Sequence, residues 1–182
     1  MTIFEELNKQ KKIFDNQIKS KMFFVPESLN ASAYSYMVWN TITRKTSPQY
    51  FLREKYIEKG HPIYDPDGMA DIFGRKIIAC TNKFGRIGDE VEITFKYPIT
   101  PWRNGNTLFA IIGDFKNQND KNPPCDEWGH IYGHQHCVVE FIVKDGAFHI
   151  NRNIVNAFPC LKGNPVIKIQ RSGVNFIDEL SK

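Results

Sequence analysis

Residues 90–97 read EVEITFKY and alternate polar with apolar side chains at every step. Successive side chains of an extended strand point to opposite faces, so Val91, Ile93 and Phe95 share one face and the polar residues share the other. This pattern predicts a half-buried strand with one wet face, as in antiparallel sheets. The following stretch 107–113, TLFAIIG, is apolar on both faces and predicts a more central strand.

Strand patterns continue on both sides of this pair. The sequence Asp145-Gly146 suits a two-residue turn, so the apolar stretches around it are predicted to form a hairpin. Residues 65–68, DPDG, predict a turn, and a short helix or tail is expected from Val174. The other predicted strands lie at 75–81, 136–143, 147–153 and 165–170.

Helical patterns precede residue 60. The first of them opens with Thr2 and Glu5, a capping-box pair, ahead of apolar residues spaced at 3.6 residues per turn. The last opens with Ser47 and Pro48, a cap and a first-turn signal. The middle one contains β-branched residues that suit a strand equally well. The predicted helices span residues 3–22, 31–43 and 48–59.

These patterns predict one α+β domain over residues 1–182, with a helical part at 1–60 and a β-rich part at 61–182. The N-terminal helices are predicted to pack on a mostly antiparallel, strongly curved or barrel-like sheet. A chain of this length buries roughly 70% of its unfolded surface, so an ordinary core needs no disulfides.

Composition excludes few classes of function. The 24 Lys and Arg residues against 20 Asp and Glu give a net charge of +4, and the basic residues are scattered. This is weak support for a nucleic-acid partner. The first 22 residues lack the apolar run of a signal peptide, and no stretch is long enough to span a membrane, so a cytoplasmic protein is expected. The four cysteines are expected to be free thiols.

Three of the five histidines fall within seven residues, at His130, His134 and His136. His134 and His136 are two apart in a predicted strand, so they share a face with Cα atoms about 6.6 Å apart. This spacing suits two imidazoles on one zinc ion, with His130 as a third ligand of an open site that activates water. Surface histidines bonded to backbone carbonyls explain the same pattern without a metal.

His61-x-x-x-Asp65, followed downstream by His134-x-His136, resembles the ligand order of the lysostaphin-type zinc peptidases. The resemblance implies that His61, Asp65 and His136 bind zinc and that His134 acts on the catalytic water. With the histidine cluster, it makes His134 and Asp65 the predicted catalytic residues. The predicted metal ligands are His61, His130, His134 and His136.

Glu140 belongs to a second partial resemblance, to the cupin family. Gly129, His134-Gln-His136, Glu140 and Gly146 look similar to the first motif of the cupin family, which implies Glu140 as a further metal ligand. In one continuous strand, however, Glu140 lies four residues, about 13 Å, from His136. Glu140 is therefore not expected to join the histidines.

Two further motifs could hold a metal. The stretch 114–116, DFK, matches the Asp-x-Lys half of a metal-dependent nuclease motif, with Asp67 as an upstream carboxylate. Cys125 and His130 with a downstream histidine would suit a structural zinc site. A solvated strand end and buried thiols explain these residues equally well.

The first hypothesis is a zinc-like, metal-dependent hydrolase in which a metal held by the His-x-His pair activates the attacking water. The second is a non-catalytic binding or accessory protein that contacts a protein or nucleic-acid partner. Its contact surface would combine loops bearing Trp102 and Trp128 with the basic face of the first helix. That face consists of Lys9, Lys12, Lys19 and Lys21.

Overall fold

The computed structural model describes residues 2–3, 5–8, 10, 21–33, 35–61, 63–147 and 154–180. Its strands are β1 (Met22–Phe24), β2 (Ser35–Val38), β3 (Ile63–Tyr64), β4 (Ala70–Ile72), β5 (Arg75–Cys80), β6 (Asp89–Phe95), β7 (Thr107–Phe115), β8 (Cys125–Asp126), β9 (Gly129–Tyr132), β10 (Gln135–Cys137), β11 (Glu140–Val143) and β12 (Val166–Asn175). Helix α1 spans Pro48–Glu58 and helix α2 spans Phe176–Glu179. Within the described ranges, no helix is long and apolar enough to cross a membrane.

Nine strands form one mixed sheet. Its hydrogen-bonded order is β1-β12-β6-β7-β5-β11-β2, and β4 extends from β5 with β3 beside it. The pairs β5–β7 and β2–β11 are parallel, whereas the other pairs are antiparallel. Ile77, Ile78, Ile111 and Ile112 on the central strands β5 and β7 are fully buried, so both faces of the sheet centre are covered.

The predicted architecture of N-terminal helices on a mostly antiparallel, strongly curved or barrel-like sheet is wrong. In the part of the chain that the structure describes, the sheet is mixed and shows no barrel or strong curl. The first 60 residues supply strands β1 and β2, and Met22, predicted to end a helix, lies in β1. The predicted helix at 31–43 is replaced by β2, where Val38 pairs with Val143. Sequence periodicity does not report such a parallel contact between distant segments.

The predicted first helix is only partly tested. Thr2 and Glu5 form the expected reciprocal capping pair, with Thr2 N 2.7 Å from Glu5 Oε2 and Glu5 N 3.2 Å from Thr2 Oγ1. Residues 11–20 of that helix lie outside the described residues. The same holds for three lysines of the predicted basic face, Lys9, Lys12 and Lys19.

Other local predictions are confirmed. Helix α1 begins after Ser47, whose Oγ accepts a hydrogen bond from Tyr50 N at 3.2 Å. The turn at 65–68 closes with Gly68 N donating to Asp65 O at 2.8 Å. Strands β5, β6, β7 and β12 lie where the patterns predict them, and α2 follows β12 as expected.

The small second sheet has the order β10-β9-β8 and contains two of the clustered histidines. The chain leaves it at Val138 and Val139 and enters the main sheet as β11, so the predicted continuous strand 136–143 is wrong. In the described residues β11 pairs with β2 and β5, and the predicted hairpin with 147–153 is not tested. Residues 148–153 lie outside the described residues.

Candidate functional site

Three neighbouring strands place two carboxylates on one line across the main sheet. Glu140 on β11 pairs with Ala79 on β5, and Ala79 pairs with Asp114 on β7. Directly paired residues point to the same face of a sheet, so the two carboxylates flank the small Ala79 side chain. Two strand spacings, about 9.6 Å, separate the Cα atoms of the two acidic residues. The sheet therefore presents a carboxylate pair with a gap between them.

A β-bulge brings Asp114 into this line. The pairing of β5 with β7 passes from Ile112 directly to Asp114 and skips Gly113. A Cβ atom at position 113 would lie 2.4 Å from Cγ2 of Ile77, which is fully buried. Because a real Cβ does not approach another carbon so closely, glycine is required where the strand shifts register.

Lys116 reaches from the end of β7 to Glu140. Its Nζ lies 2.6 Å from Glu140 Oε1, and the two side chains are only 1% and 12% exposed. Burial lowers the pKa of Lys116, but Cys137 and Glu140 raise it by more, so the net effect is a raised pKa. Lys116 is therefore held as a buried cation.

His130 on β9 contacts the same carboxylate. Its Nδ1 lies 3.5 Å from Glu140 Oε1, and its Nε2 lies 2.9 Å from Asp120 Oδ2. The hydrogen bond with Glu140 raises the pKa of His130, burial lowers it and Asp120 raises it again, with a net increase. Burial raises the pKa of Glu140, but His130 and Lys116 lower it by more. Glu140 is thus held as an ionised carboxylate.

Asp114 has the opposite electrostatic environment. Burial raises its pKa, hydrogen bonds from Phe115 N and Gln49 Nε2 lower it, and the charge of Glu140 raises it, with a net increase. The two hydrogen-bond distances to Asp114 Oδ1 are 2.8 Å and 3.3 Å. The pKa of one carboxyl group of the pair is therefore raised, while the pKa of the other is lowered. Such a division is the arrangement that general acid–base catalysis needs.

Two cavities border the residues at the end of β7. One, of about 490 Å³, is lined by residues 41–44 and 46–49 and includes Gln49. The other, of about 450 Å³, is lined by Asn82 and residues 115–119 and includes Lys116. Most side chains on both linings carry hydroxyl or amide groups. The first cavity therefore shares Gln49 with the contacts of the carboxylate pair, and the second shares Phe115 and Lys116.

The clustered histidines point to separate partners. His134 is exposed in the turn between β9 and β10. His136 lies on β10 with Nε2 2.9 Å from Asp126 Oδ2, and His130 belongs to the Glu140 contacts. Burial raises the pKa of Asp126, but the hydrogen bond with His136 and two backbone amides lower it by more.

His61 and Asp65 also lie in different surroundings. His61 packs its ring 4.4 Å from the ring of Phe73, whereas Asp65 forms an ion pair with Lys76. Among the described residues, no group of three or more His, Cys, Asp or Glu side chains is arranged to hold a metal ion. Zinc binding by these residues stays a prediction.

Asp67 and the cysteines, the remaining candidates from the sequence, lie apart from the Asp114 carboxyl group or pack in the fold. Asp67 contacts Lys76 at 3.4 Å, so the acidic partner that the sheet gives to Asp114 is Glu140. Cys125 and Cys137 pair with His130 from its two sides in the small sheet, and the four cysteines form no disulfide with one another.

The two tryptophans proposed as contact residues are partly packed. Trp102 lies 4.8 Å from the ring of Phe158, and its Nε1 donates to Asp67 Oδ2 at 3.4 Å. Lys83 Nζ lies over the ring of Trp128, 4.5 Å from the ring centroid, in a cation–π contact. These contacts give both rings a role in the fold.

Sequence reasoning identified the Asp114 motif but missed Glu140 as its partner. The available signal was Glu140 itself, an acidic residue between Val139 and Phe141 in an apolar run. A charged residue inside a buried strand needs a counter-ion, and Lys116 follows another apolar strand in the same way. Comparison with known protein families, with curated proteins and with solved structures gives no match.

Proposed function

We propose that this protein is a hydrolase that cleaves glycosidic bonds by acid–base catalysis, with Asp114 as the acid and Glu140 as the base. The observation that carries the proposal is the pairing of Glu140, Ala79 and Asp114 in one line, with opposite electrostatic environments for the two carboxyl groups. Pairs of carboxyl groups divided in this way are typical of glycoside hydrolysis.

In the proposed reaction, protonated Asp114 gives its proton to the leaving oxygen as the glycosidic carbon–oxygen bond breaks. A water molecule forms the new bond to that carbon and loses a proton to ionised Glu140. Exchange with solvent then returns the proton to Asp114 and removes it from Glu140. Lys116 and His130 both contact Oε1 of Glu140, and the other oxygen is assigned to the water.

The cavity linings support a sugar substrate. Threonine, serine and glutamine line the cavity beside Asp114, and asparagine and glutamine line the one beside Lys116. Uncharged donors and acceptors of this kind match sugar hydroxyl and acetamide groups. Among the described residues of the two linings, Arg44 and Lys116 carry the only charges, which gives less support for a polyanionic substrate.

The test is cleavage of cello-, malto- and chito-oligosaccharides, followed by mass spectrometry of the products. Wild-type protein is expected to cleave at least one series, and Asp114→Asn is expected to lower the rate roughly 10²- to 10⁴-fold. Asp145→Asn is the matched control, because Asp145 is an exposed turn residue. Failure to cleave any series, or equal loss in the two variants, would contradict the proposal.

Chelator treatment separates this proposal from the zinc centre predicted from the sequence. Acid–base catalysis by Asp114 and Glu140 is expected to survive removal of divalent metals. A zinc hydrolase centred on His134 and His136 is expected to lose activity with its metal and regain it with zinc. Elemental analysis of the untreated protein provides the second measurement.

A further inference from the structure

We propose that the cavity lined by residues 41–44 and 46–49 is a substrate subsite, and that Gln49 is the positioning residue that links its occupant to Asp114. The inference rests on the proposed role of Asp114 as the acid. It adds a site where the substrate binds and a hydrogen bond through which substrate binding affects Asp114.

The cavity has walls held by hydrogen bonds. Arg53 Nη1 donates to Trp39 O and Ile42 O, both at 2.8 Å, and thereby ties the outer segment to helix α1. Ser47 Oγ donates to Arg44 O at 2.8 Å and closes the turn before the helix. These contacts preserve the shape of the cavity, about 490 Å³, which is large enough for a sugar ring.

Gln49 lies between this cavity and the acid. Its side chain lines the cavity, and its Nε2 donates to Asp114 Oδ1 at 3.3 Å. A glutamine amide has two N–H donors and one acceptor oxygen, so it can bind a sugar hydroxyl and a carboxylate at once or exchange one for the other. Threonine hydroxyls on the same lining offer further partners to a polyhydroxylated ligand.

The hydrogen bond from Gln49 affects the protonation of Asp114. The hydrogen bond from Gln49 favours the ionised form, and its removal would raise the pKa of Asp114 further. Glu140 on β11 and Cys80 on β5 also interact electrostatically with Asp114. Burial raises the pKa of Cys80 to about 12, so this thiol stays neutral. A sugar that draws the Gln49 amide away would therefore favour the protonated acid as the substrate arrives.

The first measurement uses the protein without substrate. The Asp114 carboxyl is titrated by ¹³C NMR in wild type, Gln49→Ala and Gln49→Glu, with Gln118→Ala as the control from the other cavity. Both Gln49 variants are expected to raise the pKa of Asp114, by about 0.5 to 1 unit for Gln49→Ala, because one hydrogen bond is lost. Gln49→Glu keeps the side-chain size but adds a negative charge beside Asp114, so it is expected to raise the pKa by more than Gln49→Ala does. An unchanged pKa in both Gln49 variants would overturn the link.

The second measurement adds cellotriose, maltotriose and N-acetylated chitotriose and follows the side-chain amide signals of Gln49. A cleaved or bound trisaccharide is expected to shift these signals and to leave the amide of Gln10 in place. Binding without a shift at Gln49 would overturn the subsite. Altered Asp114 titration in the Gln49 variants without cleavage of any glycan would instead overturn the proposed function alone.

Discussion

Two lysines are buried in the main sheet, and their surroundings differ in kind. Lys76 on β5 is fully buried and contacts Asp65 and Asp67, which both belong to the turn at 65–68. Lys116, after β7, is equally buried, but its partners Glu140 and His130 come from two different sheets. Lys76 therefore stabilises one local turn, whereas Lys116 joins strands of two separate sheets.

The difference shows which buried charges indicate a functional site. The turn that holds Lys76 is completed by its own hydrogen bonds, including Met69 N to Asp67 Oδ1 at 2.9 Å. The cluster of Lys116 instead contains carboxyl groups whose pKa values move in opposite directions, and it borders a cavity. Burial of a charge alone is compatible with a structural role, whereas perturbed groups that converge beside a cavity favour catalysis.

Replacing each lysine by methionine gives the largest expected contrast. Lys116→Met removes one of the two cationic partners of Glu140, so the pKa of Glu140 should rise and its carboxylate should lose a contact that fixes its position. Glycan cleavage is expected to fall roughly 10²-fold or more. Lys76→Met is expected to leave the rate per folded molecule unchanged. Equal rate losses in the two variants, each measured with its folded fraction by circular dichroism, would remove the distinction between the clusters.

The stability of Lys76→Met provides the next contrast. Loss of the buried ammonium leaves two carboxylates facing each other, and about 3 kcal/mol of unfolding free energy is expected to be lost. Urea denaturation measures it. Lys83→Met is the control, because Lys83 forms a partly exposed pair with Glu127 at 3.1 Å and should cost less than about 1 kcal/mol. Similar losses in both variants would show that Lys76 does not hold the turn.

Gly113→Ala tests the bulge that positions Asp114. The added Cβ would meet Cγ2 of Ile77, and overpacking is expected to cost about 1 to 3 kcal/mol and to lower cleavage by moving Asp114. Gly105→Ala is the control, because it has open space around its Cβ and only left-handed backbone strain, at φ 75°. A fully active Gly113→Ala protein would contradict the role of the bulge.

The pairing of Glu140 with His130 should make the stability of the fold depend on pH. The lowered pKa of Glu140 stabilises the fold above its ordinary value of 4.5, and this contribution is lost as pH falls through the folded-state pKa. The raised pKa of His130 stabilises the fold below 6.5, and this contribution is lost as pH rises through its folded-state value. Glu140→Gln should therefore be most destabilising between about pH 4.5 and 6.5. Denaturation at pH 3, 5.5 and 8 measures it, and a flat difference would contradict the pairing.

The smallest expected effect is at His134. This residue is exposed in a turn, so His134→Ala should change stability by less than about 0.5 kcal/mol and leave cleavage unchanged. His130→Ala, in contrast, should alter the pH profile, because it removes a partner of Glu140. Loss of activity in His134→Ala would favour the zinc centre predicted from the sequence.

Local features of this fold could be predicted, whereas their assembly could not. Helix α1, strand β6 and the turn at 65–68 depend on signals within a few residues, such as the cap at Ser47. The parallel pairs of the main sheet join distant segments and leave no local pattern. The N-terminal 60 residues were therefore predicted to be helical, although they supply two strands of the sheet.

The candidate site shows the same division. Asp114 and Lys116 stand in a motif visible in the sequence, but sheet order decides their partner, and that partner is Glu140 rather than Asp67. Glu140 was set aside because residues 136–143 were predicted to form one strand. The chain changes sheets at residues 138–139, which brings Glu140 beside Lys116.

The most direct test of the central claim is the initial rate of oligosaccharide cleavage by Asp114→Asn relative to Asp67→Asn. Both variants replace one half-buried aspartate carboxylate by an amide, but only Asp114 lies in line with Glu140. Asp67→Asn is expected to cleave at the wild-type rate per folded molecule, and Asp114→Asn is expected to be slower by roughly 10²-fold or more. Equal rates in the two variants would contradict the assignment of Asp114 as the catalytic acid.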